Sequence, residues 1–120
     1  MTLSARVYLA AVLVALGISF VEQAFLPGFV SRHTAWGLAP GWQREIAFWN
    51  IGLAIVIGGV LWSKDPASVR AVVTALVVLT GLLGTNHLLT ARSNRTAWLH
   101  RVGAIVNYLA FGTGVVVLWW

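Results

Sequence analysis

The strongest constraint in this chain is a succession of apolar runs, each long enough to cross a bilayer and separated from the next by a turn signal. Hydrocarbon about 30 Å thick takes roughly 20 helical residues. Four runs fit, over about 3–25, 41–62, 67–91 and 96–120. The first stops at Leu26-Pro27-Gly28, where proline and glycine break a helix. The third opens at Ser63-Lys64-Asp65-Pro66, with Asp65 placed to cap the helix and Pro66 at its first position. Ser93-Asn94 offers a cap for the fourth.

Composition closes off the alternatives. Of 120 residues, 59% are hydrophobic and 9% charged, whereas soluble domains are about one quarter charged. One core of this length has no room for so much apolar side chain. A soluble Rossmann-type enzyme, a coiled coil and a disordered tail are excluded, and the lack of cysteine excludes a secreted disulfide scaffold. The net charge of +5 comes from basic residues flanking the apolar runs, where they snorkel to headgroups. No basic stripe or module signature points to nucleic acid.

The expected fold is all-α: a single-domain, integral membrane, up-down-up-down four-helix bundle. Short connections force antiparallel neighbours, and only the 27–40 stretch reads as a longer loop. Both termini and the 63–66 turn then share one membrane face, with the 27–40 loop and the 92–95 turn on the other. The tryptophans agree, since indoles favour the interface. Trp62, Trp119 and Trp120 fall on the first face, Trp36, Trp42 and Trp98 on the second, and Trp49 deeper. The first run reads as a retained span, because Glu22-Gln23-Ala24 is a poor signal-peptide cleavage site. Small residues at Gly58-Gly59, Gly81-x-x-Gly84 and Ala110-x-x-x-Gly114 permit close helix approach.

Polar residues inside spans are costly and usually face a bundle interior or a wet cavity. Here they gather toward the 27–40 end: Glu22, Arg44 and Glu45, Asn86 and His87, His100 and Arg101, with Asn50 and Asn107 about one turn deeper. The other half is almost wholly aliphatic, so the pattern predicts a one-sided cup. At about 100° per residue, Trp42, Glu45 and Trp49 share a face of the second helix. Thr80, Gly84 and His87 share one on the third, and His100, Gly103 and Asn107 one on the fourth.

Glu45 and His87 are the candidate acid/base pair, with the indoles of Trp42 and Trp49 shielding the carboxylate and raising its pKa. Glu22, Asn50, Asn86, His100, Arg101, Asn107, Trp42 and Trp49 are candidate ligand-binding residues. A plainer account also fits. Glu45 suits the positive end of a helix, Glu22 pairs with Arg44 or Arg101, and the asparagines bond between helices. No His-x-x-x-His or Glu-x-x-His pair occurs, so no metal or other cofactor is expected. Cysteine and a phosphate loop are absent, and no serine adjoins a histidine.

The stretch Trp42-Gln43-Arg44-Glu45-Ile46-Ala47-Phe48-Trp49-Asn50 resembles the opening of the second helix in small bacterial four-helix membrane proteins of DoxX-like architecture. Gly84-Thr85-Asn86-His87 is similar to their Gly-x-x-x-Gly-His, with Asn86 in place of the second glycine, and Asn107 stands where an aspartate is often found. The resemblance covers about a quarter of the chain. It implies the fold, the position of a pocket and a bacterial inner-membrane location, not a reaction. The emopamil-binding sterol isomerases offer a more distant analogy, keeping acidic and histidine groups in a membrane bundle.

The functional expectation is binding, or proton transfer on, a lipophilic small molecule that enters from the lipid bilayer. The alternative is a non-catalytic accessory subunit or small-solute conduit, with a homo-oligomer or a partner membrane subunit as its setting. Conduction is the weaker form, because the aliphatic half offers few polar groups.

Overall fold

The computed structural model describes residues 1–94 and 96–119. It contains helices α1 (Leu3–Phe25), α2 (Pro27–His33), α3 (Pro40–Ser63), α4 (Pro66–Ser93) and α5 (Trp98–Trp119), and no strand among the described residues. The four long helices are apolar and long enough to cross a membrane. The chain is a multi-pass membrane protein with an all-α, up-down-up-down architecture. Trp120, expected at the terminal face, lies outside the described residues.

Local chemistry sets the boundaries. Thr2 Oγ1 accepts the Ala5 N–H at 3.2 Å, and the Asp65 carboxylate accepts the Ser68 N–H at 2.8 Å. Both supply partners for donors that a helix start leaves unpaired. Pro66 occupies the first turn of α4, as its neighbourhood predicts. Lys64 ends α3 in the left-handed region, φ 56°, a position glycine usually takes. Helix α5 starts at Trp98 rather than near 96, because Asn94 Oδ1 accepts from both the backbone N–H and the hydroxyl of Thr96.

Helix α2 corrects the expectation of a plain loop over 27–40. Pro27 ends nothing on its own account; it starts the next helix, where its missing N–H costs nothing and its φ fits. Helix α2 packs on the end of α1 and touches α5, so it covers the bundle at that face.

Packing is pairwise. Helix α1 runs along α3 and α4 along α5, with α1 joining the pairs chiefly through α5. Helices α3 and α4 touch little, although only Lys64 and Asp65 connect them. The result is a flattened bundle of 41 × 26 × 16 Å. Its long dimension covers the hydrocarbon and much of the headgroup region, about 40 Å together.

The hydrophobic core lies in the aliphatic half. Tyr8, Leu9, Ile57, Val73, Leu76 and Val77 interlock there from α1, α3 and α4. Gly114 seats α5 against them: a Cβ at this position would lie 2.6 Å from Val77 Cγ2 and 2.7 Å from the Tyr8 hydroxyl. Outward faces are lined by leucine, valine and aromatic side chains. Trp62 and Trp119 stand exposed at one end, and Trp36, Trp42 and Trp98 toward the other.

Candidate functional site

At the 27–40 end, helix α2 turns the chain back over α4 and α5. His33 Nδ1 donates to the Phe29 carbonyl at 2.8 Å, and the His33 ring meets Trp98 edge-on at 5.7 Å. That places Ala35 beside α5, where its backbone N–H donates to His100 Nε2 at 2.9 Å. The Trp36 indole follows. Its ring centre lies 4.6 Å from that of His100 and 5.3 Å from that of His87.

The two histidines face each other across the α4–α5 interface, Nδ1 to Nδ1, at 3.0 Å. The Ala35 amide assigns their protons. A backbone N–H only donates, so His100 Nε2 is bare and the His100 proton sits on Nδ1. His100 Nδ1–H therefore donates to His87 Nδ1, which leaves the proton of neutral His87 on Nε2. Among the described residues nothing hydrogen-bonds His87 Nε2. His100 is fully buried and His87 half-buried, and the pair keeps one neutral donor, His87 Nε2–H, without a partner among the described residues.

Gly103 makes this contact sterically possible. A Cβ there would sit 2.9 Å from three atoms of the His87 ring. Asn107, one turn on, donates to the Gly103 carbonyl at 2.8 Å, and its Cβ packs 3.4 Å from the position a Gly84 Cβ would occupy. It braces the backbone beneath His87 instead of facing a cavity.

The remaining candidates disperse. Glu45 is exposed on the outer face of α3 together with Trp42 and Trp49, so the expected shielding by these indoles is not found. Helix α3 belongs to the other helix pair, and no hydrogen bond links Glu45 to either histidine. Asn50 donates to Ser19 Oγ at 2.9 Å and ties α3 to α1. Asn86 and Arg101 are exposed, and Glu22 is partly so. His87 and His100 are thus brought together, and Glu45 is not.

The open cup also needs correction. Helix α2 and residues 34–39 cover this end, leaving a chamber of about 20 Å³ whose lining includes Gln23, Thr34, Trp36, Trp42 and Gln43. A wider apolar cleft of about 200 Å³ opens at the opposite end, lined by Ala5, Val69, Val73, Val117 and Arg70. Sequence reasoning missed Ala35, because a backbone amide carries no residue-type signal. It noticed Trp36 only as an interfacial indole. Among the described residues, no three histidine, aspartate or glutamate side chains converge as metal ligands. No protein-family model, curated protein or solved structure matches the chain.

Proposed function

We propose that this is a bacterial inner-membrane protein of DoxX-like architecture that binds a lipophilic small molecule carrying a hydrogen-bond-accepting oxygen, such as a carbonyl. The supporting observation is the His100–His87 pair, whose bonding leaves His87 Nε2–H as a neutral donor with no hydrogen-bond partner among the described residues. A neutral donor suits a neutral acceptor in low dielectric, where an unpaired charge would be expensive. Trp36 adds an aromatic surface beside the ring.

Binding is better supported than proton transfer. Were His87 to give up its Nε2 proton, only the His100 Nδ1 proton is in line to replace it. His100 would then be left anionic, because the Ala35 amide does not surrender its own. The relay has no source, and Glu45 is not placed to serve as one.

A membrane-soluble long-chain ketone bearing a diazirine tests this reading. Photolabelling is expected on α4 or α5 near His87, and His87→Phe should abolish it with the fold retained. Equal labelling of His87→Phe would refute the assignment.

A second reading rests on Glu45. A carboxylate exposed on an outer helix face beside two indoles suits a partner membrane subunit or a second copy, since lipid offers it no hydrogen bond. A photo-crosslinking residue at Trp49 would capture that neighbour, and only lipid adducts would dismiss it.

A further inference from the structure

The chamber behind Trp36 carries an unusual concentration of unmet hydrogen bonding. Gln23 Oε1, Thr34 Oγ1 and Gln43 Oε1 are all buried, none has a hydrogen-bond partner among the described residues, and all three residues line this one space. Gln43 is only 4% exposed. Its amide cannot be turned round without loss, because Nε2 already donates to the Pro27 carbonyl at 3.2 Å. The oxygen is therefore held as an acceptor. Buried polar atoms without partners are rare, and three in one chamber ask for a common partner.

The chemistry of that partner follows from the donors and acceptors. The two glutamine oxygens only accept, whereas the threonine hydroxyl both accepts and donates. No carboxylate lines the chamber to balance a cation. The start of α3, with the positive end of its dipole, adjoins it through Gln43. A neutral hydroxyl donor fits and a metal ion does not. Size agrees: roughly 10–15 Å³ of such space holds one water, so about 20 Å³ holds one oxygen and not two.

We propose that the chamber lined by Gln23, Thr34 and Gln43 is a binding site for a single neutral hydroxyl group, supplied by water or by the end of an alcohol, that clips the segment carrying Trp36 to α1 and α3. Water matches all three partners at once, giving two protons to the glutamine oxygens and accepting one from Thr34. An alcohol has one proton to give and satisfies two of the three. The clip matters because residues 34–36 reach both sites. Thr34 lines the chamber, Ala35 bonds His100, and Trp36 lies against the histidines while also lining the chamber. The bound hydroxyl thus holds the cover over the histidine pair from behind, whatever ligand His87 takes.

Two measurements on the intact protein test this. A crystal structure from lipidic mesophase, at a resolution that shows waters, is expected to hold one oxygen within hydrogen-bond distance of Gln23, Thr34 and Gln43. Soaking with 1-butanol separates the sources: an added carbon chain means that the site accepts alcohol ends, and an unchanged single oxygen means water alone. Side chains that turn to bond one another, with no such oxygen, would overturn the site. Exchange of the Ala35 amide proton by NMR reads the clip. Thr34→Val should speed it by about tenfold through easier local opening, and Thr34→Ser should restore the wild-type rate. Unchanged exchange in Thr34→Val would overturn the clip, and the wild-type crystal tests the site even if that variant fails to fold.

Discussion

His87 and His100 meet through the same ring nitrogen, Nδ1 to Nδ1 at 3.0 Å, and only one proton fits between them. The Ala35 amide at the far side of His100 decides that the proton belongs to His100. Nitrogen-15 NMR of histidine-labelled protein should therefore show the Nδ1–H tautomer for His100 and the Nε2–H tautomer for His87. The reverse pair of tautomers would refute the assignment. Replacing His100 by Phe keeps a ring in the site but strands the Ala35 N–H and His87 Nδ1. Ala35 is exposed and His87 half-buried, so we expect the two lost hydrogen bonds to cost about 0.5–1.5 kcal/mol each, measured by denaturant unfolding in detergent.

Gly103 should be among the least replaceable glycines. A methyl group there would collide with the His87 ring at 2.9 Å, and the ring cannot retreat without leaving His100. Gly103→Ala is expected to cost about 1–3 kcal/mol, the usual range for overpacking a close contact. Gly52 faces open space, so Gly52→Ala is the matched control and should not destabilise. Equal unfolding free energies for the two variants would contradict this account.

Glu45 should prove dispensable to the fold. It is exposed on α3 and has no bond to the histidine pair. Glu45→Gln is expected to change stability by less than about 0.5 kcal/mol, as for surface substitutions generally. Destabilisation of about 3 kcal/mol would instead reveal a buried partner cation. Such a result would restore the site expected from sequence.

The contrast between Glu45 and His87 shows which parts of the structure were legible. The helix that carries each residue, and its place along that helix, follow from counting between turn signals such as Asp65-Pro66. The face shared by Trp42, Glu45 and Trp49 was also legible from helical period. Whether that face turns inward was not. In lipid the exterior is as apolar as the interior, so hydrophobicity cannot tell the two apart. Helix α2 was hidden for another reason: seven residues are too few to show a period, and Pro27 reads equally as an end or a beginning. The histidine pair was half visible, since His100 and Gly103 share a face. The backbone amide that orders its protons comes from the cover, which only the fold brings there.

Asp65 carries the pH dependence outside the spans. The Ser68 hydroxyl, the main cause, and then the Ser68 backbone N–H hold its carboxyl below its ordinary pKa. A carboxylate with a lowered folded-state pKa binds fewer protons when folded than when unfolded. Its contribution is therefore fully present above the unfolded value, about 3.9, and is lost as pH falls through the lowered folded value. Its role as cap of α4 gives the same direction, since the protonated acid is a poorer acceptor for the helix N–H groups. Asp65→Ala should lower the detergent melting temperature at neutral pH, and the gap between variant and wild type should narrow as the acid end is reached. A gap that stays constant from neutral pH to below pH about 3 would show that the cap acts without its charge.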